Sequence, residues 1–138
     1  MNQIVVDASV AVKWLVPEEH SSKALKFLES GQRLLAPDFL WIEIGNILWK
    51  KSRRKEIAPE NVPTVLGNFL SMPVFVSESK KLLPSALDWA QESSISVYDA
   101  LYIALAIDQD CSFVTADRKL YDALFKLVNH QVIWIGKS

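Results

Sequence analysis

Near its start the chain runs Ile4-Val5-Val6-Asp7-Ala8-Ser9, three consecutive β-formers that end on a carboxylate and a small-residue turn. An apolar run this short and this tightly bounded reads as a strand buried on both faces, as in the middle of a parallel sheet. In open α/β sheets, ligands collect just beyond the carboxyl ends of the strands. Asp7 stands at such an end.

The remaining sequence alternates to match. Ser9 to Leu15 forms a short helix that Pro17 stops, and Glu18 to Ser30 follows as an amphipathic helix ended by Gly31. Arg33 to Ala36 is a strand, with Pro37 suited to the first turn of a helix over Asp38 to about Arg54. Ala58-Pro59-Glu60 opens a helix to Leu70, Pro73 to Val76 is a strand, and Ser79 to Glu92 is a helix containing Pro84. Val97 to Ile107 is helix, Ser112 to Thr115 strand, Lys119 to Leu127 helix and Val132 to Ile135 a last strand. Five short strands alternating with helices predict an α/β fold, a parallel sheet covered on both sides. With 138 residues and no repeat or linker, one domain over residues 1–138 is expected.

Composition narrows the function. Apolar content of 50% excludes a disordered chain. A net charge of −1 means that any nucleic-acid binding must come from a local patch. A single cysteine, Cys111, excludes an internal disulfide and a cysteine-rich zinc site, and fits a reducing, cytoplasmic compartment. Asp7 and Lys13 interrupt the apolar N-terminus, which also lacks the basic start of a signal peptide. No run approaches the ~18 apolar residues that a membrane span needs. The glycines form no phosphate-cradling loop, and no serine sits on a nucleophile elbow.

Four acids stand out. Taken singly, Asp7 and Asp117 read equally well as helix caps, and Ser96-Val97-Tyr98-Asp99 as a capping box. Glu43 is different, because apolar residues from Phe39 to Trp49 surround it on every side of its helix and predict burial. An unpaired buried carboxylate protonates or recruits a cation. Asp7 and Asp117 end strands, Asp99 starts a strongly apolar helix, and a parallel sheet brings all three to one edge with Glu43 leaning over it. Such a cluster stays ionised only around positive charge, and oxygen-only ligands select Mg²⁺ or Mn²⁺.

These same segments, Val5-Val6-Asp7-Ala8-Ser9-Val10, Glu43-x-x-Asn46, Tyr98-Asp99-Ala100-Leu101 and Phe113-Val114-Thr115-Ala116-Asp117, resemble the PIN-domain nucleases. The nearest branch is similar to the VapC-type toxins of toxin–antitoxin pairs, over essentially the full length. The resemblance implies a PIN-like three-layer α/β/α fold whose five-stranded parallel sheet has the first strand at its centre. It also implies a Mg²⁺- or Mn²⁺-dependent endoribonuclease, with Asp7, Glu43, Asp99 and Asp117 as the catalytic, metal-binding cluster and Ser9, Asn46 and Thr115 lining it. An RNA substrate, a cognate antitoxin and a homodimer come with it.

Other features allow two readings each. Lys50, Lys51, Arg53, Arg54 and Lys55 either hold an RNA backbone or complete a solvated helix C-terminus. Arg118 and Lys119, next to Asp117, are further candidates for phosphate contact. Trp14, Trp41 and Trp49 are expected to pack in the core, or else to line a groove for a partner. His20 and His130 fall in loops without metal-ligand spacing. Against a phosphoryl-accepting domain, the middle strand ends Val76-Ser77-Glu78 without an aspartate. Against an aspartyl-nucleophile phosphatase, Ser9 stands where a second acid is needed. A non-catalytic protein-interaction module on the same fold is the alternative to a nuclease.

Overall fold

A computed structural model describes residues 2–138. Strand β1 (Gln3–Val6) is central, flanked by β2 (Arg33–Pro37) and β4 (Ser112–Thr115), with β3 (Val74–Ser77) and β5 (Val132–Trp134) at the edges. Every pairing is parallel. Ile4, Val5 and Val6 are buried as a doubly covered strand requires.

The connections are α1 (Ala8–Ala11), which tightens into a 3₁₀ turn over Val12–Trp14, then α2 (Ser21–Glu29), α3 (Phe39–Arg53) and α4 (Val62–Leu70). After β3 come α5 (Ser79–Ser93) and α6 (Val97–Asp108), and α7 (Arg118–Val128) joins β4 to β5. Right-handed crossovers in the order β3-β2-β1-β4-β5 put α1 to α4 on one face and α5 to α7 on the other. Packing agrees, since α3 meets α1 and α4, whereas α5 meets α6 and α7. The strand order reverses between β1 and β4, so the crevice at their carboxyl ends is where such a sheet binds ligands.

Three expectations need correction. Helix α2 starts at Ser21 rather than Glu18, because His20 adopts a left-handed backbone (φ 66°) that breaks the turn before it. Pro37 ends β2 instead of opening α3. Asp38 follows it, and Asp38 Oδ1 accepts the amide (3.1 Å) and hydroxyl (2.5 Å) of Ser79, tying the start of α3 to that of α5. Third, α3 is not buried all round: Leu40, Ile44 and Leu48 face the core, while Ile42 and Trp49 are 68% and 54% exposed. The stretch enclosed on every side is the middle of α6, with Ala100 through Ala106 buried.

Candidate active site

The register Val6↔Val114 carries β1 and β4 to the crevice in step, so the next residues, Asp7 and Thr115, meet side by side. Thr115 Oγ1 donates to Asp7 Oδ2 at 2.6 Å. Ser9 Oγ donates to Asp7 Oδ1 at 2.5 Å, and the Val10 amide donates to the same oxygen at 3.2 Å. Each hydroxyl also accepts a backbone amide: Ser9 from Ala116 at 2.9 Å and Thr115 from Asp117 at 3.0 Å. The β4–α7 turn is thereby clamped onto the end of β1. Asp7 caps α1 as well, and Asp117 caps α7 through the Leu120 amide at 3.1 Å. Capping and site assembly coexist in the same side chains.

Asp99 arrives from the first turn of α6. Its amide donates to Ser96 Oγ at 3.1 Å, which is one half of the expected capping box; the reciprocal bond from the Ser96 amide is absent among the described residues. Glu43 lies on α3, and the Tyr102 hydroxyl of α6 donates to its Oε1 at 2.5 Å. None of the salt bridges among the described residues involves Asp7, Glu43, Asp99 or Asp117.

Electrostatics link the four. Burial pushes the Asp7 carboxyl up to about 6 against the pull of its hydroxyl and amide donors, and the charge on Asp99 adds to the rise. Burial raises Glu43 to about 7, opposed by the Tyr102 hydroxyl and reinforced by Asp7 and Asp99. Asp99 is raised by burial and then by Asp117. Burial also lifts the Tyr102 hydroxyl far above its ordinary range, so it remains a neutral donor. At neutral pH these carboxyls cannot all ionise unaided.

The donors are all oxygen, which suits a hard divalent cation. Among the described residues, no three acidic, His or Cys side chains stand close enough to ligate one ion together. Asp7, Glu43, Asp99 and Asp117 are the acidic donors of this region, and a cation that keeps several of its waters and takes only one or two carboxylates, as Mg²⁺ does, needs no larger group.

Two clefts meet at Asp99. One, of about 490 Å³, is lined by Phe39, Ile42, Glu43 and Asn46 of α3 and by Ser96, Tyr98 and Asp99 at the start of α6. The rings of Phe39 and Tyr98 stack at 4.9 Å. The second, of about 380 Å³, joins Asp99 to Asp117 and Lys119.

The basic candidates separate. Lys50 and Arg54 line a third cavity beside Ser9, Lys51 is engaged by Glu18 and Glu56, and Arg53 lies over the Trp49 ring at 5.3 Å. Lys55 is exposed past the end of α3. Arg118 pairs with Asp122 at 3.1 Å and covers Tyr121 and Trp134, whereas Lys119 lines the Asp99–Asp117 cleft. Trp14 is buried and donates to the Ala24 carbonyl at 2.9 Å, and Trp41 meets Phe69 edge-on, so both pack; Trp49 does not. Sequence reasoning missed Tyr102, although its position one turn after Asp99 on the same helix face was a usable signal.

Known proteins share the family and the fold of this chain. Residues 4–126 match the profile of the PIN domain family. The chain is 33% identical over 129 residues to Ribonuclease VapC3 of Pyrobaculum aerophilum, covering 91% of this chain and 98% of that protein. Its fold is similar to the crystal structure of PAE2754 from the same organism, with a TM-score of 0.74 at 24% identity over 99% of this chain and 91% of that one. It is also similar to a chain in the structure of VapBC2 from Rickettsia felis bound to a DNA fragment from their promoter, with a TM-score of 0.65 at 14% identity over 95% and 97% of the two chains.

Proposed function

Since this chain belongs to the PIN-domain family, we propose that it is an endoribonuclease, the toxin component of a toxin–antitoxin pair, and that Asp7, Glu43, Asp99 and Asp117 carry the reaction. One observation supports this above the rest. Side chains from four separated segments converge at the β1/β4 switch point, charge-coupled and without a basic partner among the described residues. A structural cluster would contain its own lysine or arginine. One built for a cation leaves that role open.

The proposed cofactor is Mg²⁺ or Mn²⁺, which when bound supplies an activated water near neutral pH and stabilises charge on the leaving oxygen. Asp7 is the most constrained of the group, since Ser9, Thr115 and Val10 fix both its oxygens. Among the described residues Oδ2 accepts only the Thr115 hydroxyl, which leaves a lone pair for the site. Glu43 enters from the opposite face of the sheet and is aimed by Tyr102. Burial keeps its pKa raised, about 7, in the absence of a cation, and a bound cation would favour its ionised form. Asn46 and Lys119 line the clefts on either side and face the RNA in this reading.

An antitoxin partner is part of the proposal, and the VapBC2 neighbour is consistent with it. A homodimer is proposed from exposed Leu83 and Leu87, one turn apart on α5, which the isolated fold leaves in water. The single cysteine supports a cytoplasmic location, and no helix among the described residues is long and apolar enough to cross a membrane. Residues 1–138 are read as one nuclease domain.

Incubation of end-labelled RNA with the protein in Mg²⁺ or Mn²⁺, against chelator, tests the activity. Cleavage that Asp7→Asn and Asp99→Asn abolish is expected. Full cutting by both variants would end the assignment.

A further inference from the structure

Beside the acid cluster, a cavity of about 310 Å³ opens on the other side of Ser9 and Ala116, the pair whose hydrogen bond clamps the β4–α7 turn. Its wall carries the cations Lys13, Lys50, Lys51 and Arg54. Two of them are held in place: the side chains of Lys13 and Lys51 are only 10% and 14% exposed. Between them sits one carboxylate. Lys13 Nζ reaches Glu18 Oε1 at 3.1 Å and Lys51 Nζ reaches Glu18 Oε2 at 2.9 Å. Lys51 is further anchored by Glu56 at 3.3 Å.

Near-buried lysines cost solvation, which surface-facing lysines at a solvated helix end avoid. Four cations against Glu18 and Glu56 leave the pocket net positive, on a chain whose total charge is −1. The Glu18 carboxylate, shared by two ammonium groups, occupies the position of a singly charged oxyanion. A phosphodiester has the same charge and the same paired oxygens.

We infer that this cavity is a second phosphate seat, which receives a backbone phosphate of the RNA other than the one cut, and that Glu18 is its internal placeholder. The inference rests on the reading of RNA as substrate. Lys13 and Lys51 are pre-aimed by Glu18, and Lys50 and Arg54, exposed on the last turns of α3, supply the charge that the incoming phosphate meets first. Glu18 thus orders the seat and at the same time limits its affinity. The acid cluster repels phosphate until a cation is bound, so the seat supplies attraction that the cutting site lacks.

The test is equilibrium binding of a fluorescently end-labelled, mixed-sequence single-stranded RNA in chelator, followed by anisotropy over a range of salt. Lys13→Gln and Lys50→Gln are each expected to weaken binding roughly tenfold and to flatten the log–log salt slope by about 0.7. Glu18→Gln is expected to tighten it. Glu19→Gln, the same charge change on a side chain that is 86% exposed, is expected to change little. A merely structural ion staple predicts the opposite sign for Glu18→Gln, because its loss would damage the pocket as the lysine variants do. Among the described residues Lys50 has no ion pair to lose, so its variant tests the seat even where Lys13→Gln weakens the fold. Wild-type binding by the Lys50 variant, weaker binding by Glu18→Gln, or equal tightening by Glu19→Gln would each overturn the inference. If wild-type protein cleaves RNA while these variants bind as it does, the seat alone falls. If it cleaves none but the binding pattern holds, the nuclease reading falls instead.

Discussion

The Tyr102 hydroxyl donates to Glu43 across 59 residues of sequence, joining the enclosed helix α6 to the half-exposed helix α3 over the end of the sheet. It is the one hydrogen-bond donor to Glu43 among the described residues, and it is neutral. A lysine there would neutralise Glu43 permanently. A phenol directs the carboxylate while leaving its charge available to a cation.

Tyr102→Phe removes that donor without changing the packing against Phe113, where the rings stack at 5.9 Å. The bond lowers the Glu43 pKa against the dominant effect of burial, so its loss sends the pKa above about 7. Carboxyl-carbon NMR titration in chelator is expected to show that upward move, and the acid limb of the cleavage rate should shift to higher pH. Stability should fall by about 1–2 kcal/mol, as for a lost hydrogen bond to an ionisable acceptor. An unmoved titration would mean that Tyr102 does not direct Glu43.

The raised carboxyls also set how stability responds to pH. Asp7 moves from an ordinary 3.8 to about 6 and Glu43 from 4.5 to about 7. The folded chain therefore holds protons that the unfolded chain has already released, and the difference lies between roughly pH 4 and 7. The stability these groups contribute is complete below that window and lost as pH rises through it. Glu18, whose pKa burial pushes up but the hydrogen bonds and charges of Lys51 and Lys13 together bring below its ordinary 4.5, acts in the other direction but only below 4.5. In chelator, the melting temperature is expected to fall between pH 5 and 7.5, and Mg²⁺ or Mn²⁺ should restore it at pH 7.5 far more than at pH 5. A melting temperature that climbs across this range would contradict the burial of uncompensated acids.

Asp7→Asn isolates one part of this effect. The buried amide carries no charge; its oxygen keeps the Ser9 and Val10 donors, and the Thr115 hydroxyl can turn to accept from its nitrogen. At pH 7.5 without metal the variant should be more stable by about 2–3 kcal/mol, the equivalent of the Asp7 displacement. It should also gain little from added Mg²⁺ while losing cleavage. Calorimetric melting with and without the cation reads both. A less stable variant would assign Asp7 a structural role that outweighs its charge.

What was legible in the sequence divides along a physical line. Strands announced themselves because β-branched runs end abruptly at Asp7 and near Asp117, and parallel order follows from their alternation with helices. The convergence of the acids then needed only the topology. The burial of α3 was misread because local composition cannot say which face meets the sheet: Ile42 and Trp49 look like core residues and point outward. Tyr102 was overlooked inside an apolar run where a phenol passes for packing. Lys13, Glu18 and Lys51 lie on three elements whose approach no local pattern encodes, so their shared cavity came into view only with the fold.

Thr115 provides the sharpest check on how the site is built. It is fully buried, donates to Asp7 at 2.6 Å and accepts the Asp117 amide at 3.0 Å, so a single hydroxyl sets the separation of two acids. Thr115→Val keeps the shape and removes both bonds, which should cost roughly 2–4 kcal/mol from a lost charge-assisted bond and a deprived amide. With these acids proposed to act on the reacting phosphate rather than on distant RNA contacts, kcat should drop at least tenfold with KM nearly unchanged. Thr115→Ser retains the hydroxyl and is expected to recover most of kcat while remaining less stable through the lost methyl group. Steady-state cleavage of one RNA by the three proteins distinguishes the cases. If the valine variant cuts at the wild-type rate, Asp7 and Asp117 do not depend on this hydroxyl for their catalytic positions.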